Sequence, residues 1–388
     1  MSYYNKFFRH TLTFFQKVNI LRVTILTNGP GELWGWVRPV ASELRKRGHS
    51  ISLWLLPCPF SSGHEREAAS LLGVDKLEGP SSASVIWRDI TREKTDCVIQ
   101  LGGDIMFGLR MSKSTGIPLT AYSYRHRKDL PGVKLLTAYP EQVNIPSAIP
   151  VGDLVKDAVN LDITPQTQNA WNWPKDSSSP RVLLLPGSRP AIRLAVMEWL
   201  CQLQESLKAK IPGVRIRTLF PQFMPEKELA QWRKSGLNPI RCPAGVAMKE
   251  SDYAITQPGT NNFEMMHCGL PGIVVAPEKF ISHIPVAGMA GFLAGIPIIG
   301  NIIRRKALYR VIDRWGGYIS LPNRTFKRDI LTELYGKISP DDIANKTASD
   351  LADIERLRGT HDELLRLSGE SGAASKLCDI ASAGSEAL

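Results

Sequence analysis

Residues 252–276 read DYAITQPGTNNFEMMHCGLPGIVVA. An apolar run at 253–255 turns at Pro258 and Gly259, then continues through Thr260, Asn261, Asn262, Phe263 and Glu264 to His267. A Gly-Leu-Pro-Gly break leads into the β-branched run 273–275. Strand, turn, helix and strand are the repeating unit of a parallel α/β sheet, and such sheets bind ligands at the carboxyl ends of their strands. The turn offers small residues and fresh helix N–H groups where an anion would sit. Glu264 falls one helical turn further in, placed to accept two vicinal hydroxyls such as those of a ribose. A buried turn with a capping threonine and a solvated glutamate is the alternative reading of the same residues.

The chain has 388 residues, long for one core, so two domains are expected. Hydrophobic residues make up 43% of it and the mean hydropathy is -0.12, as in a globular protein with no disordered half. The six cysteines, at 58, 97, 201, 242, 268 and 378, form no CxxC or Cys/His pair at metal spacing. Reduced thiols, a cytoplasmic location and no metal site are therefore expected. No signal peptide is expected either, because Arg9, His10 and Lys17 interrupt the aromatics Phe7, Phe14 and Phe15.

The net charge is +11, and its placement is uneven. Residues 1–31 hold Lys6, Arg9, Lys17 and Arg22 and no acid, while residues 304–328 hold eight cations against Asp313 alone. These two segments account for the whole surplus. The concentration points to an anionic partner: a membrane, a nucleic acid or a phosphorylated substrate. In residues 3–18, Tyr4, Phe7, Phe8, Leu12 and Phe15 recur at helical spacing among cations, the pattern of a helix lying in lipid headgroups. Residues 284–303 carry no charge for twenty positions and then meet Arg304, Arg305 and Lys306. Pro285, Pro297 and four glycines argue against a regular spanning helix. A membrane-dipping hairpin fixed by its basic flank is the expectation, with a buried interdomain element as the alternative. No nucleic-acid recognition module is present, so nucleic acid is not expected as a partner.

Residues 22–27, RVTILT, read as a strand entering the turn Asn28, Gly29, Pro30, Gly31 and Glu32, with a helix over roughly 34–47. A glycine-rich turn between first strand and first helix opens a doubly wound domain. It is neither a G-x-G-x-x-G fingerprint nor a Walker loop, so no dinucleotide or ATP is required. Glu32 sits where a capping acid or a catalytic acid would stand. Residues 52–56, 97–101 and 119–122 read as further strands. They lead to Gly102, Gly103 and Asp104, to Tyr124, Arg125, His126 and Arg127, and onward to Glu141 and Asp153. Acids and glycines thus collect on one rim of one sheet. Residues 161–180, rich in Pro, Ser, Asn and Gln, read as a linker. A second set of strands then begins at 181–185 and ends in Pro186, Gly187, Ser188 and Arg189. A hydroxyl and a guanidinium at a helix start suit a phosphate. Together with Gly259 and Thr260 they read as a nucleotide diphosphate site. Residues 340–368 read as helix, and the end from 368 as weakly structured or a short closing helix.

These residues resemble those of the bacterial lipid-A-disaccharide synthases, which are GT-B glycosyltransferases. The family's Pro-Gly-Ser-Arg loop matches Pro186-Gly187-Ser188-Arg189, and its Ser-Gly-Thr-x-x-x-Glu block matches Pro258-Gly259-Thr260 through Glu264. Its Tyr-Ile-Ser-Leu-Pro-Asn segment matches residues 318–323, ending at Asn323. Its Ser-Gly-Asp turn stands here as Pro30-Gly31-Glu32 and its Val-Gly-His as Val151-Gly152-Asp153, while a family aspartate falls at Met106, leaving Asp104 nearby. The nucleotide half is kept better than the acceptor half.

The resemblance implies an α/β chain of GT-B architecture, two Rossmann-like domains facing a cleft. The expected division is a basic aromatic segment 1–20, an acceptor-side domain 21–160, a linker 161–180, a nucleotide-sugar domain 181–350 with a membrane-associating insert 280–310, and a helix and tail 351–388. It implies a UDP-sugar donor with no further cofactor and no metal, held by Gly187, Ser188, Arg189, Gly259, Thr260, Asn261 and Glu264. Asn28, Gly31, Arg125, His126, Glu141 and Asn323 would face the acceptor. Asp104 or Glu32 would be the base, with His126 in reserve. A lipid-linked acceptor at the cytoplasmic face of the inner membrane, inversion at the anomeric carbon and a homodimer complete the expectation. A UDP-sugar 2-epimerase and a non-catalytic nucleotide- or membrane-binding scaffold are the rival readings.

Overall fold

Four apolar runs are buried almost from end to end: β1 (Arg22–Thr27), β4 (Cys97–Leu101), β8 (Arg181–Leu185) and β11 (Tyr253–Thr256). A parallel strand covered on both faces needs such an unbroken run rather than alternation. A computed structural model describes residues 20–58, 63–164, 166–167, 179–187, 190–222, 224–283, 306 and 309–383. The first sheet adds β2 (Ser50–Leu55), β3 (Lys76–Glu78), β5 (Leu119–Tyr122), β6 (Val133–Thr137) and β7 (Ile149–Pro150). The second adds β9 (Arg215–Phe220), β10 (Pro239–Arg241), β12 (Gly272–Pro277) and β13 (Thr332–Gly336).

The strand orders are β3-β2-β1-β4-β5-β6-β7 and β10-β9-β8-β11-β12-β13, and every pairing is parallel. In each sheet the order reverses between two central neighbours. β1 pairs β4 from Val23↔Cys97 to Thr27↔Leu101, and β8 pairs β11 from Val182↔Tyr253 to Leu185↔Thr256. Ligands of open α/β sheets bind beyond the carboxyl ends of the strands at such a reversal. The turns after β1, β4, β8 and β11 are therefore the places to look.

Two helical stretches differ from the sequence reading, and the last one takes one of its two expected forms. Helical structure after β1 begins at Pro30 and passes through a π-helical turn, Leu33–Val37, before the regular helix Arg38–Lys46. The helix expected over 340–368 is two helices, Pro340–Ala352 and Ile354–Ser368, with Asp353 between them capping the second through Arg356 N–H. The chain's end is a helix, Ala373–Ser382, whose Leu377 and Cys378 are buried. It returns to the first domain, where Arg47 pairs with Asp379 at 2.6 Å and Lys134 Nζ donates to the Ile380 carbonyl.

A buried polar hub ties the domains together. Asp153 caps the helix Leu154–Asp162 through Val155 N–H (3.0 Å). Its carboxylate also accepts from the hydroxyls of Tyr124 (2.9 Å), Tyr139 (3.1 Å) and, at 3.5 Å, Tyr122. From the second domain, His267 Nε2 lies 2.9 Å from Asp153 Oδ2, and both side chains are fully enclosed. On the other side of the ring, His267 Nδ1 lies 2.8 Å from Ser368 Oγ. Phe263 fills the space between Tyr124 and Tyr139, with ring centroids 4.8 and 5.7 Å away. Among the described residues, no helix is long and apolar enough to cross a membrane. The expected interfacial helix at 3–18 and the uncharged run 284–303 of the expected insert 280–310 lie outside the described residues.

Candidate functional site

The turns after β1, β8 and β11 meet in one cleft. A cavity of about 360 Å3 lies between Asn28, Gly31, Glu32, Trp36 and Tyr124 of the first domain and Gly187, Gln257, Gly259 and Thr260 of the second. A smaller cavity of about 90 Å3 adjoins it, sharing Pro30, Gly31, Gly187, Thr260 and Asn261. Leu185, Phe220, Gln222, Cys242, Ala244 and Glu264 line the rest of this smaller space, with Trp34 opposite. The domains come close here: a Cβ placed on Gly31 would stand 3.2 Å from Thr260 Oγ1. Only a residue without a side chain lets the two turns approach this far.

On the second domain, Gly187 leaves β8 with φ +89°, a conformation that glycine adopts readily. Ser188 and Arg189 lie outside the described residues. After β11, the turn is held from beneath by Asn262, which is fully buried. Its Oδ1 accepts from Gly259 N–H (3.2 Å) and its Nδ2 donates to the Gln257 carbonyl (3.1 Å). The turn therefore presents Gly259, Thr260 and Asn261 as a fixed surface at the start of the helix Asn261–Cys268. Thr260 makes no side-chain capping bond there, so its hydroxyl faces the cleft rather than closing the helix. Replacing Asn262 with alanine removes both hydrogen bonds that hold the turn. We expect a loss of about 1–3 kcal/mol in urea denaturation, accompanied by weaker ligand binding at the turn.

Glu264 follows one turn later and lines the smaller cavity. Burial, reinforced by the Asp162 carboxylate and opposed by the Arg38 guanidinium, pushes its carboxyl up to about 7. Arg38 and Asp162 belong to the first domain and form a 2.7 Å ion pair. Asp162 Oδ2 also accepts from Gly245 N–H of the second domain (2.8 Å). The protonation of Glu264 is thus set partly by residues across the domain boundary.

The two candidate bases occupy different places. Glu32 lies in the main cavity, packed against Gly29 and Gly102. Asp104 is exposed and caps the helix Ile105–Thr115, accepting from Met106 N–H at 3.0 Å. Gly102 and Gly103, with φ +79° and +74°, turn the chain so that Asp104 opens into a separate cavity of about 680 Å3. Arg125, His126, Arg127 and Lys128 line that cavity too. His126 Nε2–H donates to the Leu136 carbonyl at 2.8 Å, and burial holds its pKa below the usual value. Its ring is neutral near pH 7, with Nε2 already engaged.

Two expected acceptor-side residues stand elsewhere. Glu141 is exposed on the short turn Pro140–Gln142 and lines neither the cleft nor the lateral cavity. Asn323 is fully buried and committed to backbone: Nδ2 donates to Leu331 O (2.8 Å), and Oδ1 accepts from Ile330 N–H (3.0 Å) and Leu331 N–H (2.9 Å). Both lone pairs of its amide oxygen are taken, and the side chain is closed off from the cleft. Sequence reasoning missed Trp34, Trp36, Arg38, Asp162 and Asn262. Only the Trp34-Gly35-Trp36 triplet behind the Pro-Gly-Glu turn carried a visible signal. The others act through neighbours more than a hundred residues away or, for Asn262, through a local turn bond.

No family profile matches the chain, and no curated protein matches it in sequence. Solved structures match it in fold. MurG of Acinetobacter baumannii is 16% identical over 93% of this chain and 99% of its own, with a TM-score of 0.54. A UDP-N-acetylglucosamine 2-epimerase is 12% identical over 92% and 94%, with a TM-score of 0.52. CalG4, the calicheamicin glycosyltransferase, is 11% identical over 94% and 98%, with a TM-score of 0.52. Two parallel-sheet Rossmann-like domains facing a cleft make this a chain of GT-B architecture.

Proposed function

We propose that the cleft binds a UDP-sugar and that the protein is a glycosyltransferase moving the sugar to a lipid-linked acceptor, as the lipid-A-disaccharide synthases do. The observation that carries this reading is the pairing of two acids across the cleft. Glu264, beside the nucleotide-type turn Gly259–Asn261, faces the small cavity, and Glu32 of the other domain faces the large one. The nucleoside would lie in the small cavity with its ribose hydroxyls on Glu264. Its diphosphate would lie along Gly187 and the turn at Gly259, Thr260 and Asn261, with Ser188 and Arg189 adjoining in sequence. Backbone N–H groups at a helix start stabilise a departing diphosphate by fixed positive dipoles.

The sugar would then extend towards Asn28, Gly31 and Glu32. Glu32 would take the proton of the acceptor hydroxyl as that oxygen bonds the anomeric carbon and the bond to the diphosphate breaks. Attack from the face opposite the leaving group inverts the configuration. The aromatic-cationic stretch 3–18, the uncharged run 284–303 and the cations of 304–328 support a membrane-borne acceptor on the cytoplasmic face. A structural neighbour that is a UDP-N-acetylglucosamine 2-epimerase keeps that reaction as the competing outcome. Incubation with UDP-GlcNAc alone separates them: an unchanged sugar fits transfer, and epimer formation fits the competitor.

Calorimetric titration with UDP tests the donor site. Affinity should rise with pH through about 7. Below that value Glu264 is protonated and loses acceptor capacity, and above it the carboxylate accepts both ribose hydroxyls. Glu264→Gln should weaken binding and flatten this pH dependence. Absence of UDP binding by the folded parent protein would contradict the proposal and favour the scaffold reading.

A further inference from the structure

Every contact usually asked of a nucleoside site could come from one Rossmann-like domain, yet the small cavity here has a wall from the other. Pro30, Gly31 and Trp34 of the first domain face Leu185, Phe220, Cys242, Ala244 and Glu264 of the second. The π-helical turn Leu33–Val37 carries both tryptophans that face the cleft. Within it, Trp34 lines the small cavity while Trp36, two residues on, lines the large one. Single π turns inside helices recur at functional sites because they re-aim side chains in this way.

Trp34 is also held in place. The Arg38 guanidinium lies over its ring, 4.6 Å from the centroid. Arg38 is itself anchored by Asp162 at 2.7 Å and by the Ala158 carbonyl at 2.5 Å. The same Arg38–Asp162 pair sets the charge around Glu264. One ion pair thus positions an aromatic ring and tunes an acid on two sides of a single cavity. At about 90 Å3 the space is well below the roughly 300–1,000 Å3 of ordinary ligand pockets. Trp34 is the one large side chain among the residues that the first domain contributes to its lining, beside Pro30 and Gly31.

We propose that Trp34 is the first-domain wall of the nucleoside pocket, its indole packing against the bound nucleoside, so that nucleotide affinity is shared between the two domains. This rests on the donor-site reading above. It makes Trp34 a binding residue and Arg38 the residue that positions it.

The test is calorimetric titration of the full-length protein with UMP and UDP, in the parent and in Trp34→Ala and Trp34→Phe. Trp34→Ala should lose roughly 5- to 100-fold in affinity, the range expected for one base-aromatic contact. The loss should be equal for UMP and UDP, because the ring meets the nucleoside and not the second phosphate. Trp34→Phe, which keeps a ring and the packing, should recover most of the affinity. It should also lack the part of the tryptophan fluorescence change that UMP causes in the parent. Parent-like affinity in Trp34→Ala, or an unaltered fluorescence response in Trp34→Phe, would overturn the inference alone. Failure of the parent to bind either nucleotide would overturn the donor-site reading and this inference with it.

Discussion

Replacing Asp153 with alanine is expected to lower the stability of the protein by about 3–5 kcal/mol, because several buried donors lose one charged acceptor at once. The carboxylate collects His267 Nε2–H, Val155 N–H and three tyrosine hydroxyls in a space closed to water. Burial first, and then the nearby Asp153 charge, push Tyr122, Tyr124 and Tyr139 well above the ordinary phenol range. They therefore remain neutral donors that need an acceptor. The alanine variant leaves Tyr124, Tyr139 and the imidazole without one, while Tyr122 keeps the Gly152 carbonyl at 3.3 Å, and each buried orphan adds to the loss. His267→Ala should cost less, because Asp153 keeps four of its donors. In a double-mutant cycle followed by urea denaturation, the two losses should be clearly non-additive. Losses that simply add would mean that the pair does not join the domains as described.

Glu32→Gln is expected to lower turnover by about 10²- to 10⁴-fold, the usual contribution of a positioned general base, while UDP affinity stays within a few-fold of the parent. Glu32 lines the large cavity near Asn28 and Gly102, whereas Glu264, the acid proposed to hold the ribose, lines the small one. The substitution keeps the size of the side chain and removes its charge and its capacity to take a proton. Asp104→Asn serves as the contrast. Asp104 caps a helix in the lateral cavity, and an asparagine caps nearly as well. Its turnover should remain near that of the parent. The reverse pattern, with Asp104→Asn inactive and Glu32→Gln active, would move the reaction to the lateral cavity.

The strands that decide the fold were legible because parallel strands buried on both faces leave unbroken apolar runs, as at 22–27, 97–101, 181–185 and 253–256. Short edge strands such as β3, β7 and β10 left no such run. The glycine turns at 28–32 and 257–260 were legible for a related reason, since close backbone approach needs small residues. What could not be read was which turn faces which. Asp104 and Glu32 look alike as acids after strands, and only the bend at Gly102 and Gly103 separates them into two cavities. Asn323 looked like a site residue because a buried asparagine bound to its own backbone and an exposed one leave the same letter. The Asp153–His267 pair spans 114 residues, and no local pattern announces it.

The central claim is that a nucleotide binds between the two domains, against the turn that follows β11. Amide hydrogen exchange of the full-length protein, with and without saturating UDP, tests it directly. Protection is predicted in two separate stretches, the turn and helix at 257–268 and the first-domain segment at 30–38. Protection of neither stretch, or protection confined to the lateral cavity at 123–130, would contradict it.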